Sequence, residues 1–157
     1  MMTEQGASLL KDLYRTLRKY SASIFSISQS INDFANENFQ RDIMENISFV
    51  YVLKQAPGTS YEKIKSALNL SDPDIKKIKN IDNVKGEYSE IFVKTPDLKG
   101  IIRLIPTPYE YWLATTNGDD KQLFNRVLSE KNNDLRETLY YLSKKYPNGT
   151  FGKGKEE

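Results

Sequence analysis

Residues 18–37 read RKYSASIFSISQSINDFANE, and the fold turns on how this stretch is parsed. A basic pair, Arg18 and Lys19, leads into a small-residue turn. A short apolar run over 22–28 follows, and it stops on Ser28-Gln29-Ser30 where a second pattern begins with Ile31, Phe34 and Ala35. A short apolar run between turn residues suits a buried strand, and apolar residues three and four apart suit a helix. The stretch therefore parses as the end of a helix, a strand and a new helix, with an amide side chain at the strand's carboxyl end. In an open parallel sheet, ligands sit beyond that end. Gln29 offers donors and acceptors there, suited to orienting a water or touching a terminal phosphate oxygen. Arg15, Arg18 and Lys19 on the preceding helix would add positive charge, the guanidinium forks matching phosphate oxygens. The simpler reading of the same residues is turn chemistry at Gln29 and a solvated basic helix face.

Upstream, Leu10, Leu13, Tyr14 and Leu17 predict a helix over 3–20. Downstream, Asn38 is placed to cap a helical piece carrying Ile43 and Met44. ISFVYVLKQ, residues 47–55, is near-continuously apolar and rich in β-branched and aromatic residues. It predicts a strand covered on both faces, parallel to 22–28, with Lys54 and Gln55 as a polar pair at its end. Thr59 and Glu62 fit a capping box for a helix carrying Tyr61, Ile64, Ala67 and Leu68. Ser71 and Pro73 open another with Ile75 and Ile78. The period then changes: YSEIFVK (88–94) and GIIRLIP (100–106) predict a hairpin, and YEYWLATT (109–116) a third strand. Asn117 and Asp119 start a helix with Leu123, Phe124, Val127 and Leu128. Leu135, Leu139, Leu142 and Tyr146 mark a last one, ended by Pro147 and Gly149. Asp72, Asp74, Asp119 and Asp120 fall at predicted helix starts, where capping accounts for them.

The fold expected is α/β: a partial parallel sheet with flanking helices over 1–85, an antiparallel meander with helices over 86–149, and a disordered tail over 150–157. The 157 residues are 38% hydrophobic and 28% charged, with a net charge of +2, the composition of an ordinary globular domain. The chain contains no Cys and no His. That excludes disulfides, thiolate or imidazole metal sites, and Ser-His-Asp or Cys-His catalysis. Carboxylate binding of Mg²⁺ or Ca²⁺ stays open. No apolar run approaches the length of a membrane span and the first residues are not a signal peptide, so a cytoplasmic location is expected.

Two rival readings come from other residues. YEKIKSALNLSDPDIKKIKN, residues 61–80, fits a helix-turn-helix with Lys76, Lys77 and Lys79 on its second helix, which would contact DNA. Tyr109, Tyr111 and Trp112 fit anchors of a protein–protein interaction module, or simply core residues.

LYRTLRKYSASIFSISQSINDF (13–34), followed by ISFVYVLKQ, resembles the segment after the Walker B strand in the TraC/VirB-type ATPases of conjugation and type IV secretion. YSEIFVK, GIIRLIPTPYEYWLATT and LYYLSKKYPNG are similar to the C-terminal end of that family. The resemblance covers most of residues 8–149. It implies part of a RecA-like P-loop motor that hydrolyses ATP with Mg²⁺, assembles as a hexamer, works with type IV secretion components and lies at the inner membrane through partners. It implies that Arg18 and Lys19 match a basic pair near the nucleotide or subunit boundary, that Gln29 matches the residue sensing the terminal phosphate, and that Lys54 and Gln55 match a pair at the next strand end. The chain departs from the family in three ways. YSAS stands where the family has a more Gly-rich turn. No G-x-x-x-x-G-K-[ST] occurs, and no acidic pair ends an apolar strand before residue 18. The phosphate cradle and the Mg²⁺-holding carboxylate are thus missing. The expectation is a C-terminal motor portion that neither binds ATP tightly nor turns it over alone.

Overall fold

A computed structural model of the chain describes residues 8–9, 12–14, 16–29 and 47–150. The chain forms two compact units, one from residues 1–80 and 92–101, the other from 81–91 and 102–157.

In the first unit, residues 12–14 and 16 are helical and tighten into a 3₁₀ turn at Leu17–Tyr20. Ser21 takes a left-handed conformation (φ 52°), and the Ala22 N–H donates to the Leu17 carbonyl at 3.2 Å. The chain then doubles back, and the Tyr14 hydroxyl donates to Ser26 Oγ at 2.8 Å. Strand β1 (Val50–Val52) precedes helices α1 (Tyr61–Ala67) and α2 (Asp72–Lys79). Among the described residues of this unit, the buried apolar ones are Val52, Ile64, Ala67, Leu68, Leu70, Ile75, Ile78 and Phe92. Ser71 caps α2 in a full capping box with Asp74, and Pro73 lies in the first turn, as the sequence predicts. Lys94 Nζ donates to the Leu68 carbonyl at 2.6 Å, satisfying an acceptor that the end of α1 leaves open. Burial, then the nearby Lys99, lowers the Lys94 pKa.

The second unit begins with β2 (Asn83–Val84), which turns through Gly86 into β3 (Tyr88–Lys94), and β4 (Lys99–Leu104) follows; residues 88–91 and 102–104 of these two strands belong to the second unit, 92–94 and 99–101 to the first. Helices α3 (Pro108–Ala114), α4 (Gly118–Glu130) and α5 (Leu135–Lys145) complete it. Its core is Trp112, Leu123, Val127, Leu139 and Leu142, with Tyr111, Phe124, Tyr141 and Tyr146 packed around them. Trp112 Nε1 donates to the Tyr146 carbonyl at 2.7 Å, so the indole is both buried and satisfied.

The sheet has the order β1-β3-β2, with β4 also paired to β3. β1 is antiparallel to β3 (Val50↔Lys94, Val52↔Phe92), and so is β2 (Asn83↔Ser89, Val84↔Tyr88). The predicted hairpin is present, closed by Thr95 N–H to the Leu98 carbonyl at 2.8 Å.

Four expectations are corrected. β1 pairs antiparallel with β3, and residues 22–28 form no strand, Phe25 and Ile27 being 86% and 94% exposed. An apolar run reports burial potential and does not encode which strand it meets or in what direction. Residues 109–114 are helical, because Thr107 and Glu110 close a capping box with Pro108 in the first turn, which sets a 3.6-residue period where alternation predicted a strand. The meander's remaining strand is Asn83–Val84. Finally, Ser60 is the N-cap of α1 and makes no side-chain cap bond; the Thr59 hydroxyl donates to the Ala56 carbonyl at 2.8 Å instead. The helices expected at 29–35 and after Asn38 lie outside the described residues, apart from Gln29.

Candidate functional site

The Tyr14–Ser26 hydrogen bond fixes the layout around Gln29. Arg18 and Lys19 occupy the 3₁₀ turn at the near end of the returning limb, and the Lys19 side chain is exposed. Gln29 stands three positions past Ser26, in a bend, and is exposed. The basic turn and the amide therefore lie toward opposite ends of one limb. Arg15 lies outside the described residues. Lys54 is exposed; Gln55 is half-buried and its Nε2 donates to the Leu53 carbonyl at 2.9 Å, which uses the amide on a local turn.

These residues do not fit Mg·ATP on their own. A phosphate site needs converging backbone N–H groups and a lysine, and its metal needs a carboxylate. Among the described residues, no group of three His, Cys, Asp or Glu side chains is placed to hold a metal. An open groove of about 590 Å³, lined by Tyr109, Asp134, Arg136, Glu137 and Tyr140, lies in the second unit. Its two carboxylates are already used: Asp134 accepts from the Glu137 N–H at 2.9 Å, capping α5, and Glu137 pairs with Lys131 at 2.6 Å. Two carboxylates also disfavour a polyanion.

The most elaborated polar centre is one the sequence does not announce. Asp120 is fully buried. Its Oδ1 accepts from Lys85 Nζ (3.2 Å), the Thr150 N–H (2.7 Å) and Thr150 Oγ1 (2.5 Å). Its Oδ2 accepts from the Tyr111 hydroxyl (2.5 Å) and Thr115 Oγ1 (3.1 Å). Burial alone would push this carboxyl up. The bonds from Thr150, Tyr111 and Lys85 outweigh burial and hold it at about 2. Burial and the bond to Asp120 raise Tyr111 to about 12. Every donor faces a charged acceptor, so the arrangement is a saturated structural hub with no lone pair left for chemistry. Thr150, at the start of the expected tail, is one of its spokes.

The helix pair α1–α2 also exists, but its chemistry is local. Lys79 lies 5.1 Å above the Tyr61 ring, Lys65 pairs with Asp72, and the basic end of α2 matches its dipole. α2 carries no Arg or Gln for base edges. Of the three aromatic anchors, Trp112 and Tyr111 belong to the core, and Tyr109 is exposed. Among the described residues, no helix is long and apolar enough to cross a membrane.

Comparison with known families gives a match to the TraG P-loop domain over residues 1–146. No curated protein and no solved structure matches the chain.

Proposed function

This chain belongs to the TraG P-loop domain family, and from that premise we propose that it is the C-terminal portion of a TraC/VirB-type ATPase of conjugation and type IV secretion. Membership itself points to an NTPase-related role in conjugal transfer. The observation that carries the finer reading is the family match in a sequence without a Walker A lysine or a Walker B carboxylate. The chain supplies nucleotide-sensing and subunit-contact elements to a RecA-like core, and ATP and Mg²⁺ are held by the rest of the motor. Gln29 senses the terminal phosphate. Arg18, Lys19 and Arg15 supply charge at a subunit boundary, and Lys54 and Gln55 form the neighbouring strand-end pair. The opposite placement of Lys19 and Gln29 along one limb favours their serving two different nucleotides of a ring, so that each site is completed by a neighbouring copy, as a hexamer requires. Partners also provide its attachment to type IV secretion components and the inner membrane. Exposed Phe49, Tyr51 and Leu53 (60%, 55% and 54%) are what a strand from a larger sheet leaves uncovered.

The test is equilibrium binding of a fluorescent ATP analogue. The chain alone is expected to give no saturable signal with or without Mg²⁺. Mixed with a TraG-type motor portion bearing Walker A and Walker B, it is expected to tighten binding, and Gln29→Ala is expected to abolish the gain. Saturable binding to the chain alone, or a gain that Gln29→Ala leaves intact, contradicts the reading.

A further inference from the structure

The last described residues, Tyr146–Thr150, cross the second unit as a strap, and the contacts that hold it are nearly all polar. After Tyr146, whose ring joins the Trp112 core, the strap is Pro147, Asn148, Gly149 and Thr150, with little apolar surface to bury. Two glycines let it lie close. Gly86 (φ 73°) and Gly149 (φ 79°) are left-handed, and a Cβ on either would run into neighbouring atoms, the Asn148 backbone for Gly86 and the Tyr111 ring for Gly149. Thr150 then gives both its N–H and its hydroxyl to Asp120, while Lys85 Nζ bridges Asp120 Oδ1 and the Thr150 carbonyl (2.7 Å).

We propose that Asp120 is a latch: its carboxylate decides whether the C-terminal strap is docked, and the strap releases as a unit when that carboxylate is lost, ahead of the helical core. The arrangement separates the two. The α3–α4–α5 core stands on Trp112, Leu123, Val127, Leu139 and Leu142, which the strap does not supply. The strap's anchor is one acceptor that gathers donors from the β2–β3 turn, α3 and the chain end. Thr150 is thereby held to a fixed point on the unit, and losing one charge releases it. Such a part opens locally while the rest stays folded.

The test is native-state hydrogen exchange on the full chain. In Asp120→Asn, the Gly149 and Thr150 amides are expected to exchange at least tenfold faster than in the unaltered chain, while the Leu139 and Leu142 amides stay protected and exchange far more slowly than the strap. Thr150→Val, which removes one spoke and leaves the carboxylate, is expected to accelerate the same two strap amides about threefold; if Asp120→Asn does not fold, this variant decides. Strap amides that keep their rates, or Leu139 and Leu142 amides that lose protection together with the strap, overturn the proposal.

Discussion

Asp74 and Asp120 occupy the same place in two helices and do different work. Each is the third residue of its helix, two after Asp72 in α2 and two after Gly118 in α4, and each is buried. Asp74 turns back on its own helix: its Oδ2 accepts from the Ser71 N–H at 3.0 Å and the Ser71 hydroxyl at 2.7 Å, with Lys99 at 3.4 Å. At α4 the cap is Asn117, whose Oδ1 accepts from the Asp119 and Asp120 N–H groups at 3.1 and 3.2 Å. That leaves the Asp120 carboxylate free to reach Lys85, Tyr111, Thr115 and Thr150. The cap residue thus decides whether a carboxylate at this position closes a local box or organises a unit through contacts up to 35 residues away.

The largest expected difference comes from deleting each carboxylate. Asp120→Ala strands Lys85, Tyr111 and the Thr150 donors and should cost about 3 kcal/mol in urea unfolding. Asp74→Ala should cost about 1 kcal/mol, the value of a cap. Equal losses would erase the distinction. Next in size is the response to acid. The folded Asp120 carboxyl titrates at about 2, below its ordinary 3.8, so the native state binds fewer protons than the unfolded chain between those values. The stability it contributes is complete above about pH 4 and is lost as pH falls through about 2, on the order of 2 kcal/mol. Asp120→Asn should flatten that part of the acid unfolding profile. At the alkaline end, the raised Tyr111 predicts a loss as pH rises from 10.0 through about 12, which Tyr111→Phe should remove. Gly149→Ala should destabilise by more than 1 kcal/mol, because its left-handed backbone and the Tyr111 ring both resist a Cβ. Ser71→Ala should cost about 1 kcal/mol and leave Trp112 fluorescence unchanged.

The same contrast explains what the sequence disclosed. Ser71, Pro73, Ile75 and Ile78 sit within a few positions of one another, and their spacing states the helix start and its buried face. The β3–β4 hairpin and Asn117 were legible for the same reason. Over Tyr109–Ala114 the alternating aromatics suggest a strand, but Thr107 and Glu110, whose capping box sets the helix, prevail. Asp120 reads as a cap in the sequence because nothing within four residues betrays Lys85 or Thr150; the nearest signal is Asn117, a sufficient cap already in place. Arg18, Lys19 and Gln29 stand out in the sequence only through the resemblance and one small-residue turn. Their spread along the returning limb depends on the contact of Tyr14 with Ser26, which no periodicity encodes.

ATP turnover by the purified chain, alone and mixed with a Walker-bearing TraG-type motor portion, tests the functional account most directly. Alone, the chain should release no phosphate above background, with or without Mg²⁺; in the mixture, turnover should rise, and Gln29→Ala should remove the rise. Sustained turnover by the isolated chain would contradict it.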